Sequence, residues 1–340
     1  MLTAHLPTLR GVLLSTPLLA LTACGGPSGP VDGGRAMAHV EKLVEIGPRP
    51  FGSDNLAKAA DYICAQIESI GLEPLRHEVE HAAEKKTIRN LYTKIDGADP
   101  AAGPILMFGA HYDTKVTEGC KEWTHDGPFL GAIDGGGAPA VLLELAREIK
   151  ALPADKKPKC NVWFYWIDAE ESIDWVWNDE RALLGSQAFC KFLSKEKVLK
   201  RVEAFVLLDL IGSKNIKIDR DGNSNPRLLD LFGEAAKQMG ASERLYEFPT
   251  ENDIRNARQS GRPWGTIDDH LSFNNYGVKT VLLIDFARRT PGPEDSRYER
   301  WWHTPDDNLD AMDADSLAFA GNLVMQALPA LDDFVHGKKK

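Results

Sequence analysis

The chain has 340 residues, of which 43% are hydrophobic, and it carries a formal net charge of −10 at pH 7. A chain of this length and apolar content can bury one large core or two ordinary ones. The acidic residues are spread along the chain, and a nucleic-acid-binding protein needs a basic face. The composition therefore argues against nucleic acid as a partner.

The first 23 residues have the pattern of a signal peptide. Arg10 precedes a short apolar run at residues 11–20, which is too short to span a bilayer comfortably. The sequence Leu-Thr-Ala-Cys at residues 21–24 resembles a bacterial lipobox, in which the cysteine becomes the lipidated first residue of the mature chain. We expect export and a lipid anchor on Cys24 that faces the periplasm or exterior, with residues 24–34 as a flexible tether. A plain secretory signal with an incidental cysteine is the alternative.

Four further cysteines follow Cys24. They are Cys64, Cys120, Cys160 and Cys190. An even number in an exported chain permits disulfides, and we expect one, with its pairing left open. The alternative is that some of them are small buried apolar side chains. Because the sequence has no C-x-x-C pair, a cysteine-based zinc site is not expected.

Helical and strand patterns alternate through residues 35–336. Amphipathic patterns predict helices at residues 34–46, 53–71, 138–149, 225–239 and 314–334, with a further helix entered at Leu184. Alternating or continuous apolar runs predict strands at residues 75–80, 89–95, 105–110, 161–167, 203–209 and 278–285. Long loops are predicted at residues 114–130 and 240–270, and residues 337–340 form a basic tail. This alternation predicts a single α/β sandwich.

Acidic residues and histidines follow several of these strands or enter turns. Open α/β sheets bind ligands outside the carboxyl ends of their strands. Zinc takes imidazole and carboxylate ligands, and a catalytic site usually provides three from the protein. The candidates for metal binding are His111, Asp134, Glu171, Asp209 and His303. The pattern predicts a zinc site at the carboxyl edge of the sheet.

The two glutamates after the strand at residues 161–167 have different predicted roles. Glu171 is a candidate ligand, which leaves Glu170 free as a general acid or base. Tryptophans at positions 175 and 177 follow in a loop and indicate a substrate pocket, although Trp177 could instead pack in the core. Asp134 alone would be read more simply as the cap of the helix after its glycine run.

The order His-x-Asp, Asp, Glu-Glu, Asp, His resembles the M28 zinc peptidase superfamily over residues 35–335. This resemblance implies a single-domain three-layer sandwich, in which helices flank both faces of a central mixed, twisted sheet. The superfamily includes dizinc aminopeptidases and glutaminyl cyclases. Several local sequences are similar to the cyclases: Asp-Leu-Ile-Gly at residues 209–212, Asp-Asp-His at 268–270, Trp-His-Thr at 302–304 and the tryptophan-bearing insertion from Trp175.

The cyclase resemblance implies an activity and a metal site. One zinc ion would be held by Asp134, Glu171 and His303, and Glu170 would move a proton from the attacking amine to the leaving ammonia. The implied partners are peptides or proteins with an N-terminal glutamine, which become pyroglutamyl products. We expect a monomer that touches a membrane only through its lipid anchor.

The same resemblance implies a carboxylate pair and a pocket wall. Asp209 and Asp268 would share a hydrogen bond, with one of them protonated because two such close carboxylates do not both ionise easily. Trp175 and Trp302 would wall the glutamine side chain. Ile267 stands where the cyclases have a substrate-binding glutamine, so this sequence departs from the family there. The glycine run at residues 135–137 is a second departure.

Two other functions remain open at the level of sequence. In a dizinc aminopeptidase, His111 and Asp209 would bind a second metal, Asp134 would bridge the two ions, and Glu170 would activate a water. The tryptophan before His303 and the loop insertion favour the cyclase. A non-catalytic surface lipoprotein on the same scaffold would have lost a ligand or the catalytic carboxylate, and all of them are present.

Overall fold

The computed structural model describes residues 29–259, 261, 264–287 and 301–337. The predicted signal peptide, Cys24 with its predicted lipid and the first part of the predicted tether lie outside these residues, as do the three lysines at 338–340. Within the described residues, no helix combines the length and apolarity that crossing a membrane requires.

The folded domain begins earlier than the sequence predicts. Val31 is only 3% exposed, and its backbone N–H donates to Asn322 Oδ1 at 3.0 Å. Asp32 caps the first helix by accepting hydrogen bonds from the N–H groups of Gly34 and Arg35. The folded domain therefore includes residues 31–34, which the sequence analysis assigned to the tether, and Asn322 of the C-terminal helix binds Val31.

The described residues form eight α-helices and six β-strands. The helices are α1 (Gly33–Ile46), α2 (Asp54–Ser69), α3 (Ala138–Ala151), α4 (Leu184–Lys195), α5 (Pro226–Gln238), α6 (Glu251–Gln259), α7 (His270–Asn274) and α8 (Ala314–Val335). The strands are β1 (Leu75–His81), β2 (Lys86–Ile95), β3 (Ile105–His111), β4 (Asn161–Ile167), β5 (Val202–Asp209) and β6 (Lys279–Ile284).

All six strands form one mixed sheet in the order β1-β2-β4-β3-β5-β6. The pairs β1–β2 and β2–β4 are antiparallel, and the pairs β4–β3, β3–β5 and β5–β6 are parallel. In the register of the parallel strands, His111 is opposite Ile167 and Asp209 is opposite Ile284. The carboxyl ends of the four parallel strands therefore meet at one edge, and the predicted α/β fold with a mixed sheet is confirmed.

Helices cover both faces of the sheet because successive side chains of a buried strand point in opposite directions. On β4, the Trp166 indole donates to the carbonyl of Pro139 in α3, whereas the neighbouring Tyr165 stacks on Phe189 of α4 with ring centroids 4.2 Å apart. Helices α1, α3, α5 and α8 contact one another in one layer, and α4 packs with α7 in the other. The strand β4 is consequently apolar on both faces, as its unbroken run of hydrophobic residues predicts.

Two expectations from the sequence are wrong. Helix α6 lies in the segment at residues 240–270 that is predicted as loop, and it has no apolar stripe because none of its residues is buried. The four cysteines of the described chain, Cys64, Cys120, Cys160 and Cys190, are all free. Three of them are buried, so they behave as small apolar side chains and not as the predicted disulfide.

Candidate metal and catalytic site

The candidate site lies at the edge of the sheet where the parallel strands end. Strand β3 ends at His111, Glu170 and Glu171 come shortly after β4, and β5 ends at Asp209. Asp134 reaches the same place from an irregular helical turn, Ile133–Gly137, that precedes α3. The structure thus gathers these predicted residues as the strand pattern implied.

Three of the predicted ligands form one compact group. Asp134, Glu171 and His303 each offer a ligand atom within 4.8 Å of the others. His303 Nε2 lies 3.0 Å from Glu171 Oε1 and 3.4 Å from Asp134 Oδ2. Two carboxylates and one imidazole therefore converge, which is a donor set that zinc takes in catalytic sites.

A second group shares one residue with the first. His111, Asp134 and Asp209 also bring ligand atoms within 4.8 Å of one another. His111 Nε2 lies 2.9 Å from Asp209 Oδ1 and 3.3 Å from Asp134 Oδ1. Asp134 therefore presents one oxygen to each group, as a residue that bridges two metal ions would.

The electrostatics of Asp134 fit a cation at this position. Its Oδ2 atom is buried and has no hydrogen-bond partner among the described residues. Burial alone would raise the pKa of Asp134, but the imidazoles of His111 and His303 outweigh that effect and hold the pKa well below its usual range. An ionised, buried carboxylate with an unsatisfied oxygen needs positive charge, which protonated histidines or a metal ion can supply.

Asp113 positions the backbone of the glutamate pair. Its two carboxylate oxygens accept hydrogen bonds from the N–H groups of Glu170 and Glu171, at 3.1 and 3.2 Å. Ala169 precedes them with a φ of +54°, so the chain turns sharply at the end of β4. This turn and the carboxylate together direct the two adjacent glutamate side chains to different places.

Glu170 has the properties of an acid–base residue. It is buried, and burial raises its pKa well above the usual range; the positive charge of His111 opposes this rise, and the charge of Asp268 adds to it. A carboxyl group with a raised pKa can both accept and donate a proton near neutral pH. Glu170 belongs to neither group of candidate ligands, so its carboxylate is left for that work.

The predicted hydrogen bond between Asp209 and Asp268 stays a prediction. Asp209 Oδ1 accepts from the N–H of Leu210 at 2.7 Å and lies 2.9 Å from His111 Nε2. Asp268 Oδ1 accepts from the N–H of Asp269 at 2.6 Å, and its Oδ2 has no partner within the described chain. Burial and then the negative charge of Asp209 raise the pKa of Asp268 well above its usual range, so the two carboxyls interact through charge.

Aromatic rings surround His303. The ring of Trp302 stacks on its imidazole at 4.0 Å, and the rings of Trp175 and Phe129 lie 6.0 and 5.7 Å away. Phe129 comes from the long loop at residues 114–130, so this loop helps to wall the site. The predicted pocket residues Trp175 and Trp302 are therefore brought to the candidate ligands.

Two other predicted pocket residues are exposed to solvent. Ile267 is 49% exposed. Trp177 is 37% exposed, and its indole N–H donates to Asp179 Oδ1 at 2.6 Å. Core packing, the alternative for Trp177, is therefore wrong.

Comparison with known proteins decides the family. Residues 90–328 match the model of peptidase family M28. The chain belongs to this family. The predicted resemblance is confirmed. The candidate ligands and Glu170 all lie within the matched residues.

Individual relatives of this M28 chain include both branches. It is 26% identical to the glutaminyl-peptide cyclotransferase of Drosophila melanogaster over 81% of this chain and 75% of that protein. It is 30% identical to an aminopeptidase of Bacillus subtilis over 66% of this chain but only 40% of that protein. Among solved structures, a glutaminyl cyclase from an Acidobacteriales bacterium has 27% identity and a TM-score of 0.73, covering 93% of this chain and 100% of that one.

Sequence reasoning missed three buried charged residues of the M28 site. They are Arg49, Lys115 and Asp307. The Lys115 ammonium donates to the carbonyls of Ser172 and Asp174 and lies 3.5 Å from Glu171 Oε2. It therefore ties the tryptophan-bearing loop to the site. The position of Lys115 shortly after His111 indicates that it lies near the site. Arg49 gives no such indication, because its Gly-Pro-Arg-Pro sequence is typical of a break between helices.

Proposed function

We propose that this chain is a zinc-dependent glutaminyl-peptide cyclotransferase, which converts an N-terminal glutamine of peptides or proteins to pyroglutamate and releases ammonia. The observation that carries the proposal is the position of Glu170, a buried carboxyl with a raised pKa beside the group formed by Asp134, Glu171 and His303. Similarity to cyclotransferases over most of the chain supports the same reaction.

In this reaction Glu170 moves one proton. The α-amine of the substrate attacks the γ-carbonyl carbon of its own side chain, and the Glu170 carboxylate accepts the proton that the amine loses. The protonated carboxyl then donates to the side-chain nitrogen, and the bond between this nitrogen and the γ-carbon breaks. One carbon–nitrogen bond forms, one breaks and ammonia leaves, so Glu170 returns to its starting state.

The metal-binding part of the proposal assigns one zinc ion to Asp134, Glu171 and His303. When bound there, zinc would supply Lewis acidity that polarises a carbonyl group. Trp302 and Trp175 flank His303 and would confine the glutamine side chain next to these ligands. Their rings would also exclude water, which otherwise competes with the amine for the carbonyl carbon.

A dizinc aminopeptidase is the second candidate function. The observation that favours it is the group formed by His111, Asp134 and Asp209, which has the composition of a second metal site. In that reaction Glu170 would take a proton from a water that attacks a peptide bond. The similarity to the Bacillus subtilis aminopeptidase spans less of both chains than the similarity to the cyclotransferase of Drosophila melanogaster.

The location is also a proposal. Residues 1–24 support export and lipidation of Cys24, because a positive start, a short apolar run and a Leu-Thr-Ala-Cys sequence follow one another. Labelling cells with a fatty acid should mark the wild-type protein and leave the Cys24→Ala variant unlabelled. Equal labelling of both would overturn the anchor.

The catalytic proposal is tested by the products of two peptides that differ only in the first residue, glutamine or leucine. A cyclotransferase releases ammonia from the first peptide and leaves the second unchanged. An aminopeptidase releases free leucine from the second. Prior removal of metal with a chelator should abolish the activity, and added zinc should restore it.

A further inference from the structure

The turn that carries Asp134 lacks the regular helical hydrogen bonds that would fix its conformation. Asp134 has φ −86° and ψ 99°, and Gly135 has a φ of +84°, so both residues leave the helical conformation that surrounds them. A Cβ atom on Gly135 would lie 2.1 Å from the carbonyl oxygen of Asp113, which leaves room only for glycine. Because regular helical hydrogen bonds are interrupted here, other groups must fix the turn.

Asp307 holds the N–H side of this turn. Its carboxylate is fully buried, with Oδ1 accepting from the N–H of Ile133 at 2.6 Å and Oδ2 accepting from the N–H of Asp134 at 3.0 Å. Burial and the negative charge of Asp134 raise the pKa of Asp307 to about 8, although the two N–H donors and the charge of Arg49 oppose that rise. One side chain that lies 173 residues away in sequence thus fixes the backbone of Asp134.

Arg49 holds the carbonyl side of the same turn. Its guanidinium is fully buried and donates to the carbonyls of Gly131 at 2.9 Å and Gly135 at 3.2 Å, which flank Asp134. It also donates to the carbonyl of Tyr112 at 3.1 Å, between His111 and Asp113. The remaining donors reach the carbonyls of Leu43, Gly47 and Leu130.

Nearby carboxyl groups compensate for the buried charge of Arg49. An isolated buried charge is costly unless an opposite charge compensates for it. Burial lowers the pKa of Arg49 to about 10, while the negative charges of Asp307, Asp113 and Asp134 oppose the decrease. Arg49 therefore keeps its charge at neutral pH. Neither Arg49 nor Asp307 belongs to the two groups of candidate metal ligands.

We propose that Arg49 and Asp307 are positioning residues that set the zinc affinity of the site by clamping the turn of Asp134 from its carbonyl side and its N–H side. Asp134 is the residue that both ligand groups share, so its orientation affects metal binding in either group. The proposal rests on the zinc site proposed above and is independent of which reaction the zinc supports.

The test measures zinc affinity by competition with a chromophoric chelator, on the folded metal-free protein. Asp307→Asn keeps the shape of the side chain but replaces one acceptor with a donor that faces an N–H group. Arg49→Lys keeps the charge but cannot reproduce the planar set of donors. Each variant should bind zinc about 10- to 100-fold more weakly than the wild type, as for other residues that orient metal ligands.

Arg201→Lys is the matched control. Arg201 also donates to two backbone carbonyls, those of Gly103 and Pro100, each at 2.9 Å, but it lies just before β5, at the opposite edge of the sheet. The control should lower the melting temperature of the metal-free protein and leave zinc affinity unchanged. This contrast separates an effect on the site from a general loss of stability.

Wild-type zinc affinity in both Arg49→Lys and Asp307→Asn, with only the melting temperature lowered, would overturn the proposal. Failure of both variants to fold would also overturn it, since the two residues would then hold the whole fold and not the site. A wild-type protein that binds no zinc would instead overturn the zinc site. A wild-type protein that binds zinc but does not cyclise glutamine would overturn only the proposed reaction.

Discussion

Trp302 stacks on the imidazole ring of His303, with ring centroids 4.0 Å apart and an angle of 20° between the planes. His303 itself has a φ of +52°, a backbone conformation that most residues avoid. The stacking fixes the orientation of the imidazole so that its Nε2 points at Glu171 and Asp134. One aromatic side chain thus both orients a candidate ligand and forms a wall of the proposed pocket.

The first prediction concerns the proton carrier. Glu170→Gln should lower kcat by about 10²-fold or more, because the amide cannot accept the proton from the attacking amine. Zinc content, measured by elemental analysis, should remain that of the wild type. The matched control is Glu180→Gln, since Glu180 is exposed in the following loop. A Glu170→Gln variant with near-normal kcat would remove Glu170 from the mechanism.

The second prediction compares two adjacent buried aspartates. Asp268→Ala should lower kcat about 10²-fold, because Asp268 is the carboxyl whose charge acts most on Glu170. Asp269→Ala should have a much smaller effect on kcat. Steady-state kinetics of the two variants, each checked for folding by circular dichroism, decide the matter. Equal losses would mean that the catalytic carboxyl is assigned to the wrong position.

The third prediction concerns the tryptophan-bearing loop. Trp175 lies 6.0 Å from the ring of His303 and 6.2 Å from that of Trp123, whereas the neighbouring Trp177 points to solvent. Trp175→Ala should raise KM for a glutaminyl peptide about 10-fold, which corresponds to about 1.4 kcal/mol of binding free energy. Trp177→Ala serves as the control and should leave KM unchanged. A larger rise in KM for Trp177→Ala than for Trp175→Ala would mean that Trp177, and not Trp175, contacts the substrate.

The fourth prediction is a pH dependence of stability. Asp168 is fully buried, and burial and the charge of Asp113 raise its pKa to about 8. An unfolded aspartate has a pKa of about 3.9, so the folded protein retains a proton that the unfolded chain releases. The stability that this group contributes is complete below about pH 4 and is lost as the pH rises through about 8.

Asp168→Asn should remove this dependence, because the amide cannot ionise and still accepts the N–H of Arg89 that Asp168 Oδ2 accepts at 2.6 Å. The melting temperature of the variant relative to wild type should rise as the pH increases from 5 to 9. The exposed Asp155→Asn variant should show no such trend. A constant difference between Asp168→Asn and wild type would show that Asp168 is ionised in the folded protein throughout this range.

The candidate ligands could be predicted because their signals are local. An apolar strand that ends in an acid or histidine places that side chain at the sheet edge, whatever the rest of the chain does. Glu171 and Asp209 are examples, and the structure places both where the strand pattern implied. The signal for His303 is weaker, since it follows no strand and is indicated by the Trp-His-Thr sequence at residues 302–304.

The supporting contacts could not be predicted because they depend on distant parts of the chain. Arg49 reaches carbonyls that are 63 to 86 residues away, and Asp307 binds a turn more than 170 residues away. The contacts of Asp209 are a further example, because the N–H of Leu210 and the imidazole of His111 compete for its Oδ1. Sequence spacing contains no information on that competition.

The most direct test of the central claim is a mass spectrum of a peptide with an N-terminal glutamine after incubation with the purified zinc-loaded protein. The account predicts a product lighter by one ammonia with every residue retained, and no such product with the Glu170→Gln variant. A peptide shortened by its first residue would contradict the cyclotransferase and assign the chain to the aminopeptidase branch, with His111 and Asp209 as ligands of a second metal.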